Sequence, residues 1–405
     1  MDLDIRRIPF DDAAASQRLQ HEAFGGAASA PTADAWPPAG SRPWGAWLDG
    51  ELAARATVRS FTSWFHGARV PTAGLGGVTV AAEHRGAGLL RPLMDATLAD
   101  ARDRGATVST LYPSAAGIYR GLGYEIVGSY DEVVVPLSVL AGLRRPAGVL
   151  TRRARAADVP AVRAVYERWA AAQNGPLTRS EAPFAMEADE MVGPDADYTG
   201  VSLAVDASDG TVLGFVSWTR ATGHDRTTDL EVDDLVALTP DAARALWFVL
   251  GSFATVVGAA RVSTSGAWSG ADVGRLVLPD HAATTTSRPY MLRLLDVPGA
   301  LGSARLAPWT VQVPFAVRDP RTPDLEGSWL LRVHDGAAEV VADAGPAGSA
   351  SDRPTFTAGG LAQSYAGSQS CANLRLAGHL DGPTEHDAVW DALWTGRPVH
   401  VRDYF

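Results

Sequence analysis

The residues best equipped for chemistry lie between positions 78 and 124. Val78, Thr79 and Val80 read as a strand, and Arg85-Gly86-Ala87-Gly88-Leu89-Leu90 as a glycine-containing turn. Leu89, Leu90, Leu93, Met94, Thr97, Leu98 and Ala101 then keep helical spacing until Gly105. Strand, glycine loop and helix in that order form an anion cradle. Glycines let the backbone approach a pyrophosphate, and the first N–H groups of the helix have no partner of their own. Arg85 adds a cationic donor. The dinucleotide fingerprint G-x-G-x-x-G is not met, because Arg91 stands at the third glycine. A loop ending Gly-Lys-Ser/Thr is excluded, since all 35 basic residues are arginine. By itself the loop serves equally as a tight turn. Downstream, a strand over 107–111 and Ser114 lead into Ile118-Tyr119-Arg120-Gly121-Leu122-Gly123-Tyr124.

This combination resembles the GNAT acetyltransferase superfamily, whose Arg/Gln-x-x-Gly-x-Gly/Ala loop holds the pyrophosphate of acetyl-CoA. Here the loop is Arg85-x-x-Gly88-x-Leu90, and Tyr119-x-x-x-Gly123-Tyr124 is similar to the superfamily's Tyr-x-x-x-Gly-aromatic segment. The whole chain resembles the narrower Eis ("enhanced intracellular survival") family of aminoglycoside acetyltransferases. That family has its own Arg-x-x-Gly-Leu-Leu loop, a serine five residues before the tyrosine, an early-loop tryptophan and a terminal phenylalanine. Ser114, Trp36 and Phe405 match these features.

The resemblance implies roles residue by residue. Backbone groups of Val78, Thr79 and Val80 would pair with the pantetheine arm of acetyl-CoA. Arg85, Gly86, Ala87, Gly88, Leu89, Leu90 and Arg91 would hold its pyrophosphate. Ser114 and Ala115 would line its far side, and Tyr119 would be the general acid. The carboxylate of Phe405 would be the general base, and Phe24 and Trp36 would line the amine pocket. The proton transfers are chemically reasonable. A phenol of pKa about 10 can protonate a departing thiolate whose acid has a pKa of about 8.5, and burial raises a terminal carboxylate from about 3.5 toward useful basicity.

Three blocks must position these groups. Residues 1–148 and 149–296 begin alike: Arg6-Arg7 precedes Asp12 as Arg152-Arg153 precedes Asp158. The second block has Thr239-Pro240-Asp241 where the first has its glycine loop. It therefore reads as a diverged, catalytically silent repeat. Residues 297–405 change to alternating strands around Asp335-Gly336, then helices, then a short final strand over 398–404. The expected fold is mixed α/β: two tandem GNAT-like domains and a third α+β domain, which the resemblance makes sterol-carrier-protein-like. Stretches 25–43 and 343–354 read as loops.

Composition bounds partners. A net charge of −11 disfavours nucleic acid and anionic membrane surfaces and suits a cationic small-molecule amine. No apolar run of membrane-spanning length and no apolar leader segment are present, so a cytoplasmic location is expected. Cys371, the one cysteine, reads as a buried inert thiol, and the nine histidines show no metal spacing, so no metal is expected. The resemblance also implies a homo-hexamer. Two other readings remain at this point: an apolar-ligand-binding protein with a vestigial GNAT site, and a GNAT enzyme acting on a small biosynthetic amine.

Overall fold

A computed structural model describes residues 2–26, 31–182, 184–223, 228–266, 284–343 and 352–405. Parts of the two expected loops, 27–30 and 344–351, lie outside the described residues. The first block runs β1 (Leu3–Arg7), α1 (Ala13–Phe24), β2 (Ser41–Leu48), β3 (Glu51–Phe65), β4 (Ala68–Val80), α2 (Leu90–Asp103), β5 (Val108–Leu111), α3 (Ala116–Arg120) and β6 (Glu125–Pro136). Asp49 and Gly50, at φ 51° and 89°, make the β2–β3 turn that their residue types announce.

The second block repeats the pattern. It runs β7 (Val149–Arg153), α4 (Val159–Ala170), α5 (Ala188–Val192), β8 (Gly200–Asp206), β9 (Val212–Arg220), β10 (Asp229–Ala237), α6 (Pro240–Gly251), β11 (Ala259–Ser265) and β12 (Thr284–Leu294). The repeated Arg/Asp spacing has a structural basis. Arg152 grips Asp158 with two bonds of 2.7 Å, and Arg6 lies 3.7 Å from Asp12. On α4, Val162, Val165 and Tyr166 are buried as their spacing requires.

The two repeats do not own separate sheets. All twelve strands form one sheet in the order β1-β2-β3-β4-β5-β12-β6-β11-β10-β9-β8-β7, which has the same plan from either end. β12, from the second repeat, inserts between β5 and β6 of the first, and β6 pairs along its outer half with β11. The split near 148 thus separates the repeats in sequence while their central strands are interleaved.

The third block holds α7 (Val297–Gly302), β13 (Val311–Val317), β14 (Gly327–His334), β15 (Ala337–Ala342), β16 (Thr355–Phe356), α8 (Ala358–Tyr365), α9 (Cys371–Leu376), β17 (Leu380–Asp381) and α10 (Asp387–Trp394). Its sheet order is β15-β14-β13-β16-β17. Phe315, Phe356, Tyr365, Trp390 and Trp394 are fully buried and fill its core. Cys371 is buried at the start of α9. No helix among the described residues is long and apolar enough to cross a membrane.

The expected final strand does not form. Residues 398–405 run extended between the first two repeats, joined to them by the single bridge Asn174–Val399 and by side chains. Alternation of apolar residues there reflects burial on both sides rather than sheet pairing: Val401 and His400 are both buried.

Asn174 staples all three blocks. Its Oδ1 accepts from the His66 backbone N–H at 2.7 Å, and its Nδ2 donates to the carbonyls of Ala366 at 3.2 Å and Arg397 at 3.3 Å. Beside it His66 is buried against the Tyr365 carbonyl, and burial lowers its pKa to about 4. The unfolded chain therefore binds a proton at His66 between about 6.5 and about 4 that the native state refuses, so stability rises with pH across that window. Wild-type protein is expected to lose up to about 3 kcal/mol from this group as pH falls through it. Urea unfolding at neutral and mildly acidic pH, compared with His66→Gln, measures this; an unchanged slope in the variant would acquit His66.

Candidate active site

The site begins with a backbone defect. β4 pairs in parallel with β5 only from Thr72–Val108 to Leu75–Leu111. Just beyond, the β3–β4 register slips between Arg55–Thr79 and Thr57–Gly76, so β4 bulges over residues 76–79. A bulge bends its strand and raises local twist. Here it coincides with the point where β4 leaves β5, opening a wedge. Val78, Thr79 and Val80 lie on the opened length of β4. β3 occupies one edge of that strand, and the β5 side is open to an extended ligand.

The glycine loop caps the wedge. Gly86 and Gly88 hold φ of +84° and +76°, a region costly for other residues, and a Cβ on either would meet nothing within 4 Å. Backbone conformation fixes glycine here, and the space beside it is open. Arg85 and Ala87 are exposed. Leu89 and Leu90 anchor the start of α2 in the core, and the first intrahelical bond comes only at Leu93 N to Leu89 O. The amides of Gly88, Leu89, Leu90 and Arg91 therefore precede it, a donor set that fits a pyrophosphate. The guanidinium of Arg91 is already committed. It donates to the carbonyls of Gly121, at 2.8 Å, and Arg321, which turns it toward α3 and the third block. A cavity of about 360 Å³ separates Gly86 and Gly88 from Ile118, Gly121 and Leu122.

Tyr119 stands on the α2 face of the wedge, packed against the same buried cluster as Val78, Leu90 and Ile126 and edge-on to Tyr124 at 6.2 Å. Burial raises its pKa, so the phenol keeps its proton at neutral pH. Ser114 and Ala115 are exposed in the turn before α3.

Phe405 lies on the opposite face. Its ring packs on Phe61 at 5.1 Å, Tyr112 at 5.4 Å and Phe184 at 6.1 Å. A Cβ on Gly74 would strike the rings of Phe61 and Phe405, and one on Gly76 would lie 3.8 Å from the carboxyl carbon of Phe405. Two glycines thus seat the last residue against the bulged strand. Phe24 is exposed at the end of α1. Trp36 is half-buried, donates to the Ile8 carbonyl at 3.3 Å and packs with Leu19, Trp47 and Leu52. The rings around Phe405 are those of Phe61, Tyr112 and Phe184, which carry no sequence signal beyond their aromatic type.

A buried ion cluster fixes the tail. Arg179 donates to Asp403 at 2.7 Å and to Asp234 at 2.5 Å, and Tyr112 Oη donates to the Asp403 carbonyl at 2.6 Å. One residue back, Arg402 reaches the second repeat. Its guanidinium donates to Ser263 O on β11 and, at 3.2 Å, to Leu235 O on β10. β10 and β11 pair only as far as Val232–Val262, so the second repeat has an equivalent wedge, and Arg402 bridges it.

Fold and site together define a tandem acetyltransferase with an appended third domain. Comparison with known proteins agrees. Residues 4–127 and 175–294 each match the acetyltransferase (GNAT) domain, and 297–402 the sterol carrier protein domain. An N-acetyltransferase of Streptomyces griseus is 30% identical over the full length of both chains. A GCN5-related N-acetyltransferase from Kribbella flavida superposes with a TM-score of 0.81 at 30% identity, covering 100% of this chain and 98% of that one. N-acetyltransferase Eis of Mycobacterium tuberculosis is 33% identical over 45% of each chain. The chain belongs to the GCN5-related N-acetyltransferases, in the tandem-GNAT group with Eis-like homologues.

Arg179→Met would leave Asp234 and Asp403 buried without their cation, a change expected to cost about 3 kcal/mol or more. The tail should also become accessible: carboxypeptidase is expected to trim residues near 405 faster in the variant, read by intact mass.

Proposed function

We propose that this N-acetyltransferase transfers the acetyl group of acetyl-CoA directly to an amine of a polycationic small molecule of the aminoglycoside class, with polyamines and lysine side chains as related acceptors. One arrangement carries the reading: a single wedge has an anion cradle and a protonated phenol on one face and the last residue of the chain on the other. The cradle residues fit acetyl-CoA, which when bound supplies an acetyl thioester. Amides of Gly88 to Arg91, with Arg85, would receive the pyrophosphate, and Val78 to Val80 would offer strand-like partners to the pantetheine. Ser114 and Ala115 would border the cofactor near α3.

Protons then have defined homes. The acceptor ammonium must lose a proton before its nitrogen can attack, and the Phe405 carboxylate, directly or through a water, would take it. As the C–N bond forms and the C–S bond breaks, the Tyr119 phenol would donate to sulfur. Amides at the β4 bulge would polarise the carbonyl. Asp233, accessible at an irregularity of β10, has its carboxyl raised to about 6 by desolvation and by Asp234 and Glu231. With Glu231 it would receive further ammonium groups of a polycation. Phe24 and Trp36 would act as outer walls, and a homo-hexamer, implied by the family resemblance, completes the reading; light scattering after size-exclusion chromatography tests the assembly.

Thiol release from acetyl-CoA with kanamycin or tobramycin tests the activity. Native protein should turn over, and Tyr119→Phe should fall by about 10²-fold or more. A C-terminal extension of a few glycines, which moves the carboxylate away from the wedge, should abolish turnover while leaving acetyl-CoA affinity intact. Equal rates with and without the extension would exclude the carboxylate as base. No release with any amine in a wider panel would exclude the activity itself.

A further inference from the structure

Arg59 carries a charge on the acceptor face that none of the steps above uses. It projects from β3 beside Gly76, and its Nη1 is shielded from water without a hydrogen-bond partner. Burial lowers its pKa. The adjacent Arg55 offers no relief. It is itself cationic and is spent on Thr57 at 2.6 Å, on the Ser16 carbonyl at 3.4 Å and on Gln20. Arg59 is half-buried, and a shielded guanidinium nitrogen without a partner is costly, so it asks for an anion. The chain terminus supplies an acid on this face. A Cβ on Gly76 would collide with Arg59 Nη1 and lie 3.8 Å from the Phe405 carboxyl carbon, so both groups adjoin one point that only glycine leaves vacant.

We infer that Arg59 is the charge partner of the Phe405 carboxylate, a positioning residue that holds the base ionised and aimed at the wedge. The inference rests on the reading of that carboxylate as base. Other groups around it are accounted for. Tyr112 gives its hydroxyl to the Asp403 carbonyl, Asp403 is answered by Arg179, and Phe61 and Phe184 are uncharged. Arg55 lies one step further along β3, behind its neutral partners. Burial alone would push the carboxylate pKa up, and a cation within reach pulls it down by one to three units. Arg59 therefore sets the pH at which the base becomes available.

The test is the acid limb of the kcat/KM profile for a single amine. In Arg59→Gln the limb should move up by about one pH unit, because the carboxylate holds its proton longer, and Arg59→Lys should restore most of the shift. Gly76→Ala supplies a second variant that keeps both charges and wedges them apart; it should shift the limb in the same direction. Thermal unfolding and acetyl-CoA affinity confirm that each variant is folded. A limb unmoved in both Arg59→Gln and Gly76→Ala would overturn the inference, as would a rise in KM for the amine alone, which would make Arg59 a substrate contact. Failure of the underlying reading is separate: it shows as full activity in the C-terminally extended enzyme, whatever Arg59 does.

Discussion

Everything in the site depends on one backbone event, the departure of β4 from β5 after Leu75. A parallel pair that continued to Val80 would consume the backbone groups a pantetheine arm needs and would close the channel between the faces of the sheet. The β3–β4 slip between Arg55 and Thr57 lies just past the end of that pairing and re-aims the side chains beyond it. Gly74 and Gly76 then present no side chain on one face, which admits the Phe405 ring and carboxyl. On the other face Val78 joins Leu90 and Tyr119. Tyr119 and Phe405 come to opposite sides of one opening because a single strand is irregular.

The second constraint is interdependence. β12 completes the first repeat, β6 is shared with the second, and the tail is held by Arg179 and Asn174, both from the second repeat. The first repeat cannot close its part of the sheet without a strand of the second. Where the first repeat leaves an opening, the second has Arg402 spanning the carbonyls of Ser263 and Leu235. One short tail thus crosses one wedge and ends at the other.

Electrostatics on the acceptor face are divided by depth. Deep in the wedge, Arg55 and Arg59 outnumber the single carboxylate of Phe405. Further out, Asp233 and Glu231 supply negative charge from the second repeat. In the proposed reaction a cationic amine would be drawn to this rim, and Arg59 would keep the Phe405 carboxylate ionised to receive its proton.

Local chemistry is what the sequence determined by itself. The glycine loop, the helix behind it, the phenol after β5 and the duplicated Arg/Asp start were legible because each is written within a few residues and obeys backbone geometry: positive φ at Gly86 and Gly88, 3.6-residue spacing on α2, a short reach from Arg152 to Asp158. The recognition of Phe405 came from resemblance, since no local pattern marks a terminal residue as anchored. What only the tertiary structure decided is long-range. Strand exchange between β6 and β12 joins positions more than 150 residues apart, and alternating apolar residues do not say which strand they will face. Residues 398–405 alternate like a strand, yet what buries His400 and Val401 is packing on the repeats rather than a ladder. Arg91, expected at the phosphate, is held by two carbonyls, while Arg59 and Arg179, which no local pattern marks, lie beside the tail. Charge and burial depend on neighbours distant in the chain, and those neighbours are set by the fold.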